Sequence, residues 1–326
     1  MKHERTGGTT TAEQSPLRWS FLRWSFLRRT RLRWGRSFVA AVSCAASFGC
    51  RSTPEVDEVT VREPTTGRAY RILERRGGQS FGGQDEPARA RPVLLVLHPY
   101  AYPAEQLVNA HRLRERAVQE RDWLVVVPEG ERDSEGNQFW NASAACCGAE
   151  PGGPDDVSFL HAVLDDVGRR RRVDTTRVFL LGVSNGGFLA HRFGCDASER
   201  VRAIVSVAAA GPGPEDPPCR PARPVSLLHV HGVLDETIRF SGGSARGARY
   251  PGVQDSVAPW LRFPGGTTIR RRGALRWFGS PFELETHHFP THRVEVWTVP
   301  EGDHALSALR HAVPRLLEFL EAAPSG

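Results

Sequence analysis

The chain has 326 residues, 40% of them hydrophobic and 25% charged, with a formal net charge of +6. That charge is uneven: residues 1–49 hold nine Lys/Arg against two Asp/Glu, a net of +7, which leaves the rest of the chain at −1. The high isoelectric point therefore belongs to the leader, and a basic nucleic-acid-binding surface on the folded part is excluded as its origin.

Residues 1–50 read as a leader. An Arg-rich stretch from Arg18 to Arg36 precedes a short apolar segment, Ser37 to Gly49. That segment is too short to span a bilayer as a helix and suits the apolar region of a secretory signal. Gly49-Cys50 places a small residue before a cysteine, as in bacterial lipoprotein processing, although Ser47 and Phe48 depart from that pattern. Cys50 is thus the candidate for lipidation, and a lipid anchor there is the chain's only expected tie to a membrane. Arg28-Arg29 matches a twin-arginine signal only in that pair, since Arg31 sits where an apolar residue is preferred. The expected location is secreted or in the cell envelope, where disulfides persist. No nucleic-acid partner is expected.

Residues 51–57 read as a linker and 58–326 as a single domain. Val59–Arg62 and Arg68–Leu73 alternate polar and apolar residues around Pro64–Gly67, which predicts a hairpin. Gly77–Arg91 reads as a surface loop. Unbroken apolar runs then recur at Pro92–Leu97, Trp123–Val127, Val178–Leu181, Ala203–Val207 and Val225–Val230. Such runs suit strands buried on both faces of a parallel sheet. Segments of helical period lie at Ala104–Glu120, Asp155–Arg170 and Asn185–Gly194, with a last helix over Ala305–Glu321. The alternation predicts an α/β fold: a doubly wound, mainly parallel sheet with an N-terminal antiparallel hairpin.

Gly182-Val183-Ser184-Asn185-Gly186-Gly187 falls between a strand and a helix. This is G-x-S-x-G in the setting of a nucleophile elbow, where small residues permit a sharp turn and the serine projects beside a helix N-terminus. Ser184 is the candidate nucleophile, and it needs a base. In the α/β-hydrolase fold the order is Ser, acid, His. Asp235, just past the run ending at His231-Gly232, is the candidate acid, with Glu236 its nearest rival. His304, on the loop after Val294–Val299, is the candidate base; Asp303 offers it a local partner, but Asp235 fits the order better. The oxyanion donors expected are the backbone N–H groups of Asn185 and of Tyr100, with Ala101 second, because Pro99 has none. His98 reads as a structural loop residue. His287, His288 and His292, and the pair His229 and His231 on one strand face, form no complete structural-zinc set, so no metal is expected.

These residues resemble the polyhydroxybutyrate depolymerase, feruloyl esterase and LpqC-like group of secreted esterases, from about Gly67 to His304. The likeness rests on Leu97-His98, Trp140-Asn141-Ala142 with Cys146-Cys147-Gly148, Asp155-Asp156-Val157 before Phe159-Leu160, the Ser184 elbow, His231-Gly232 with Asp235, and Gly302 with His304. It implies an α/β-hydrolase fold, no cofactor, and an ester substrate that is a polyester or an ester-decorated polysaccharide. Three positions depart from the group: His98-Pro99 replaces His-Gly, Gly265-Gly266 stands where a cysteine is common, and Ala305-Leu306-Ser307 replaces Trp-Pro-Gly. The competing readings are a peptidase of the same fold and a non-catalytic envelope lipoprotein that binds a glycan or partner.

Four cysteines remain after the leader: Cys146, Cys147, Cys195 and Cys219. The helix after Ser184 descends about 15 Å at 1.5 Å per residue, which places Cys195 at the bottom of the sheet. Cys219 lies late in the connection that descends to the strand at Val225. A Cys195–Cys219 disulfide is therefore expected, while Cys146 and Cys147, in an upper loop, form either a vicinal disulfide or free thiols.

Overall fold

The computed structural model describes residues 55–77, 89–147, 153–277, 280–305 and 309–324. The leader, the lipidation candidate Cys50, and Leu306 and Ser307 lie outside them.

The hairpin is formed by β1 (Val56–Arg62) and β2 (Ala69–Arg75), paired antiparallel. β1 takes in Val56 and Asp57, so the linker expected over 51–57 ends earlier. Next come β3 (Arg91–Leu97), α1 (Ala104–Ala110), β4 (Leu124–Pro128) and a short pair, β5 (Glu131–Arg132) and β6 (Gln138–Phe139). The centre of the chain gives α2 (Asp156–Arg170), β7 (Val173–Val183), α3 (Asn185–Asp196), β8 (Ala203–Val207) and β9 (Ser226–Gly232). After a second short pair, β10 (Gly242–Ala245) and β11 (Ala248–Pro251), and the one-turn α4 (Val253–Val257), a long hairpin follows. Its strands are β12 (Thr267–Trp277) and β13 (Ser280–His288), and β14 (Arg293–Val299) and α5 (Leu309–Glu321) complete the fold.

Ten strands join in the order β1-β2-β4-β3-β7-β8-β9-β14-β13-β12. The stretch from β4 to β14 is parallel throughout, and both edges are antiparallel. The doubly wound pattern is visible within β3 alone. Val93, Leu95 and Leu97 face a core shared with α2 and α3, while Leu94 and Val96 face the core beneath α1 and α5. Both sets are fully buried, which is why the run carries no polar alternation. The chain runs outward from β3 to β4 and then returns to β7 on the other side of β3. Ligands of open α/β sheets bind beyond the strand C-termini at such a reversal. Ser184 follows β7 and Tyr100 follows β3, so both lie at that point.

Besides the short pairs β5–β6 and β10–β11 and the one-turn α4, which were not expected, two regions differ from the expectation. The helix predicted over Ala104–Glu120 stops at Ala110, Arg112 takes φ 52°, and Arg114–Gln119 form a π-helical turn. In one regular helix Leu113 would lie about 240° around the axis from Leu107, away from the core. The break lets Leu107, Val108, Leu113, Ala117 and Val118 all be buried. The second difference is the β12–β13 hairpin, a segment to which no element was assigned. It extends the far edge of the sheet beyond β14.

Candidate active site

Ser184 occupies a sharp turn with φ 52° and ψ −121°, a backbone region that costs energy for a side-chain-bearing residue. The neighbouring glycines explain how the turn is tolerated. A Cβ on Gly182 would collide with the Gly186 backbone, one on Gly186 with the Leu97 carbonyl, and one on Gly187 would sit 2.6 Å from Ala209 Cβ. The elbow is thus pressed against the end of β3 by contacts that only glycine permits. The N–H groups of Gly187 and Phe188 bond the Ser184 carbonyl and start α3, which leaves the Asn185 N–H at the helix N-terminus without an intrahelical acceptor.

Three side chains from separate loops meet here. Ser184 Oγ lies 2.9 Å from His304 Nε2, and His304 Nδ1 lies 2.8 Å from Asp235 Oδ2. The Asp235 side chain is fully buried, whereas that of His304 retains 27% exposure. Asp235 Oδ1 accepts the N–H groups of Thr237 at 2.9 Å and Ile238 at 2.8 Å. Burial alone would oppose ionisation of Asp235. The hydrogen bonds from His231, His304 and the Ile238 N–H outweigh it and hold the carboxyl well below the usual carboxylate range. Asp235 therefore stands as a buried anion facing an imidazole whose other nitrogen faces a serine. Neither Glu236 nor Asp303 takes that place: Asp303 Oδ1 instead accepts the Ala305 N–H at 3.1 Å.

The acid and histidine loops are laced together by backbone. The Val233 N–H donates to the Val299 carbonyl at 3.0 Å, and that of Leu234 to Gly302 at 2.9 Å. A Cβ on Gly232 would come within 2.9 Å of the Asp303 carbonyl and closer still to Gly302. Gly232 is thus the residue that lets the two loops approach. A glycine stands shortly before each candidate in the chain, a signal that could have pointed to this contact.

On the other side, the loop after β3 is held by the Asn185 and Trp140 side chains, a role the sequence did not show, and by His98, expected as a structural loop residue. The Asn185 side chain accepts the Trp140 N–H at 2.7 Å and donates to the Trp140 carbonyl at 2.9 Å. Trp140 Nε1 in turn donates to the His98 carbonyl at 2.9 Å. His98 is buried, with Nδ1 2.8 Å from the Pro99 carbonyl and Nε2 accepting the Gly130 N–H at 3.0 Å. Burial pushes its pKa down to about 4, so it is a neutral ring of fixed tautomer. Ala101, the second choice as oxyanion donor, spends its N–H on the Gln138 carbonyl at 2.9 Å. Tyr100 remains the candidate in this loop; its hydroxyl donates to Asp133 Oδ2 at 2.5 Å.

Cys195 and Cys219 are joined by a disulfide, with Cα atoms 5.1 Å apart. Cys146 and Cys147 form a vicinal disulfide, and Cys146 Sγ lies 3.5 Å from Asn185 Nδ2. His292 is buried with Nε2 3.0 Å from the Trp260 carbonyl, and His287 pairs with Glu285 at 2.9 Å.

No protein-family model matches the chain. By sequence it is 30% identical over 241 residues to the NocK protein of Nocardia uniformis subsp. tsuyamanensis, named as an esterase, covering 71% of this chain and 65% of that protein. It is 25% identical over 230 residues to feruloyl esterase B of Piromyces equi, covering 67% of this chain and 40% of that one. The chain thus spans less than two thirds of either relative. Among solved structures it is similar to S-formylglutathione hydrolase FrmB of Staphylococcus aureus, with a TM-score of 0.52 at 13% identity, covering 82% of this chain and 99% of that one. The chain has the α/β-hydrolase fold, and in sequence it is related to named esterases, a feruloyl esterase among them.

Proposed function

We propose that the protein is an exported serine carboxylic-ester hydrolase that works through an acyl-enzyme on Ser184. The observation that carries this reading is the line from Ser184 Oγ through His304 to buried, ionised Asp235, with both links under 3 Å. His304 Nε2 takes the serine proton as Oγ attacks the ester carbonyl, and Asp235 holds the Nδ1–H and stabilises the imidazolium that forms. The carbonyl oxygen, now negative, is received by the N–H groups of Asn185 and Tyr100. His304 then gives its proton to the leaving alcohol, and water repeats the sequence to free the acid. The substrate class proposed is a polyester or an aryl- or acyl-ester-decorated polysaccharide. The resemblance to feruloyl esterases supports it, as do the exposed side chains of Tyr100, in the loop after β3, and of Val233 and Leu234, in the loop that carries Asp235.

The test is direct. A fluorophosphonate probe should label the wild-type chain and not Ser184→Ala, and the same variant should lose p-nitrophenyl ester turnover while keeping its circular dichroism. Equal labelling of both chains would remove Ser184 from the role. A panel of short p-nitrophenyl esters, methyl ferulate and polyhydroxybutyrate then separates the substrate classes.

A further inference from the structure

Beneath the site lies a row of histidines. His229 and His231 alternate along β9 and so share a face, and α3 sets His191 against them. All three are buried. His191 Nε2 lies 3.2 Å from His229 Nδ1, and His229 Nε2 lies 3.2 Å from His231 Nδ1. His231 Nε2 reaches the Ile238 carbonyl at 2.7 Å and Asp235 Oδ2 at 3.4 Å.

The direction of this row follows from its end. A carbonyl only accepts, so His231 Nε2 carries a hydrogen. In a neutral ring Nδ1 is then the acceptor, which makes His229 Nε2 a donor, and the same step makes His191 Nε2 a donor. His191 Nδ1, buried and without a hydrogen-bond partner, is left as the unprotonated nitrogen. Burial supports the neutral forms of His191 and His229: it pushes His191 down to about 3, and together with the two adjacent rings it pushes His229 well below its ordinary value. Three N–H bonds therefore point one way, toward Asp235. The titratable groups that meet along the row are His191 from α3, His229 and His231 from β9, Asp235 from the loop after β9, and His304 from the loop after β14. Packed beside them are Ser206 of β8 in register with His229, Thr298 of β14 in register with His231, Phe240 against the His231 ring and Trp260 against the His191 ring.

We propose that His231, backed by His229 and His191, is a positioning residue for Asp235. Its Nε2–H, shared between the Ile238 carbonyl and Asp235 Oδ2, fixes the carboxylate and draws off part of the charge that Asp235 presents to His304. This rests on the reading of Ser184, His304 and Asp235 as a triad. Removing the donor leaves Asp235 a stronger acceptor, so the base holds its proton more tightly and the acid limb of activity moves to higher pH.

The experiment uses the full chain and p-nitrophenyl acetate, with rates normalised to fluorophosphonate-labelled sites. In His231→Leu the acid limb of kcat/KM should rise by about one pH unit, with kcat lowered and KM little changed. His231→Gln, whose amide can supply the lost N–H, should return the limb toward wild type. A His231→Leu chain with a lower Tm but a wild-type limb per labelled site would overturn the proposal while leaving the esterase reading intact. A wild-type chain that neither labels nor hydrolyses an ester would strike that reading and the proposal with it. If His231→Leu does not fold, the wild type still decides: long-range proton–nitrogen spectra should show the three buried rings as Nε2–H tautomers. A His231 ring protonated at Nδ1 overturns the proposal.

Discussion

The two halves of the site are held by different means. The serine half is fixed by main chain: the Ser184 turn, the glycines against β3, and the Asn185 side chain gripping both polar groups of the Trp140 backbone. In the acid–histidine half the backbone joins the two loops, but His304 is oriented by a side chain: it meets Asp235, which is itself held by His231 and two N–H groups. A nucleophile set by backbone geometry resists small changes in its surroundings. A base set by one hydrogen bond responds to each of its partners.

The sharpest way to break that contrast is at Asp235. Asp235→Asn keeps the shape but loses the anion, and kcat should fall on the order of 10⁴-fold while the fold persists, by comparison with the same change in other triads. Stopped assays on p-nitrophenyl acetate over a range of pH would measure it. Near-wild-type activity would show that the acid arm is not what orients His304.

The serine half should betray itself through stability. His98, whose pKa burial pushes to about 4 from an ordinary 6.5, stays neutral in the folded chain while the unfolded chain takes up a proton. The sign follows: above pH 6.5 its contribution is complete, and between 6.5 and 4 it is lost, amounting to about 3 kcal/mol. His191, pushed to about 3, adds its own loss from pH 6.5 down to 3, so the difference between chains is the quantity to read. Urea unfolding at stepped pH should show a shallower acid slope in His98→Gln than in wild type. Equal slopes would mean that His98 titrates alike in both states.

The helix behind Ser184 is tied at its base by Cys195–Cys219, which close a loop with a sequence separation of 24. Replacing both with serine should cost about 3 kcal/mol in the chain-entropy view, less if the unfolded chain keeps structure. Labelling by the fluorophosphonate at 25 °C should be unchanged, because the tie lies at the far end of α3 from the elbow. A fall in labelling rate as large as the fall in stability would mean that the elbow depends on this tie and not on its glycines alone.

Much of this was legible in the residues, and the reasons are local. Strands buried on both faces announce themselves as unbroken apolar runs, and the elbow needs its glycines wherever it occurs. The site's second layer was not legible, because it is made by pairs far apart in the chain. Nothing at Asn185 says that its side chain will clasp Trp140, and His229 and His231 showed a shared face without showing His191 opposite. The α1 break hid behind a helical period that holds on each side of Arg112 but not across it. The β12–β13 hairpin was missed for another reason: β13 alternates Phe282, Leu284 and Thr286 with Glu283, Glu285 and His287, but its partner is Arg-rich and interrupted by Gly273.

The smallest effect expected is at Tyr100, and it tests how far the main-chain rule extends into the oxyanion loop. The Tyr100 hydroxyl donates to Asp133 Oδ2 at 2.5 Å and accepts from Asn137 Nδ2 at 3.2 Å, while the ring stays partly exposed. Its N–H, the group proposed to meet the oxyanion, is placed by its neighbours: Pro99 fixes one side, and the Ala101 N–H bonds the Gln138 carbonyl on the other at 2.9 Å. If those main-chain restraints suffice, Tyr100→Phe forfeits only an exposed hydrogen bond, worth about 1 kcal/mol or less. kcat should then fall less than about fivefold, with KM changed no more than kcat. A loss on the order of 10²-fold in kcat alone is the signature of a displaced oxyanion donor. That outcome would move the oxyanion loop into the side-chain-held half, with Asp133 as its anchor.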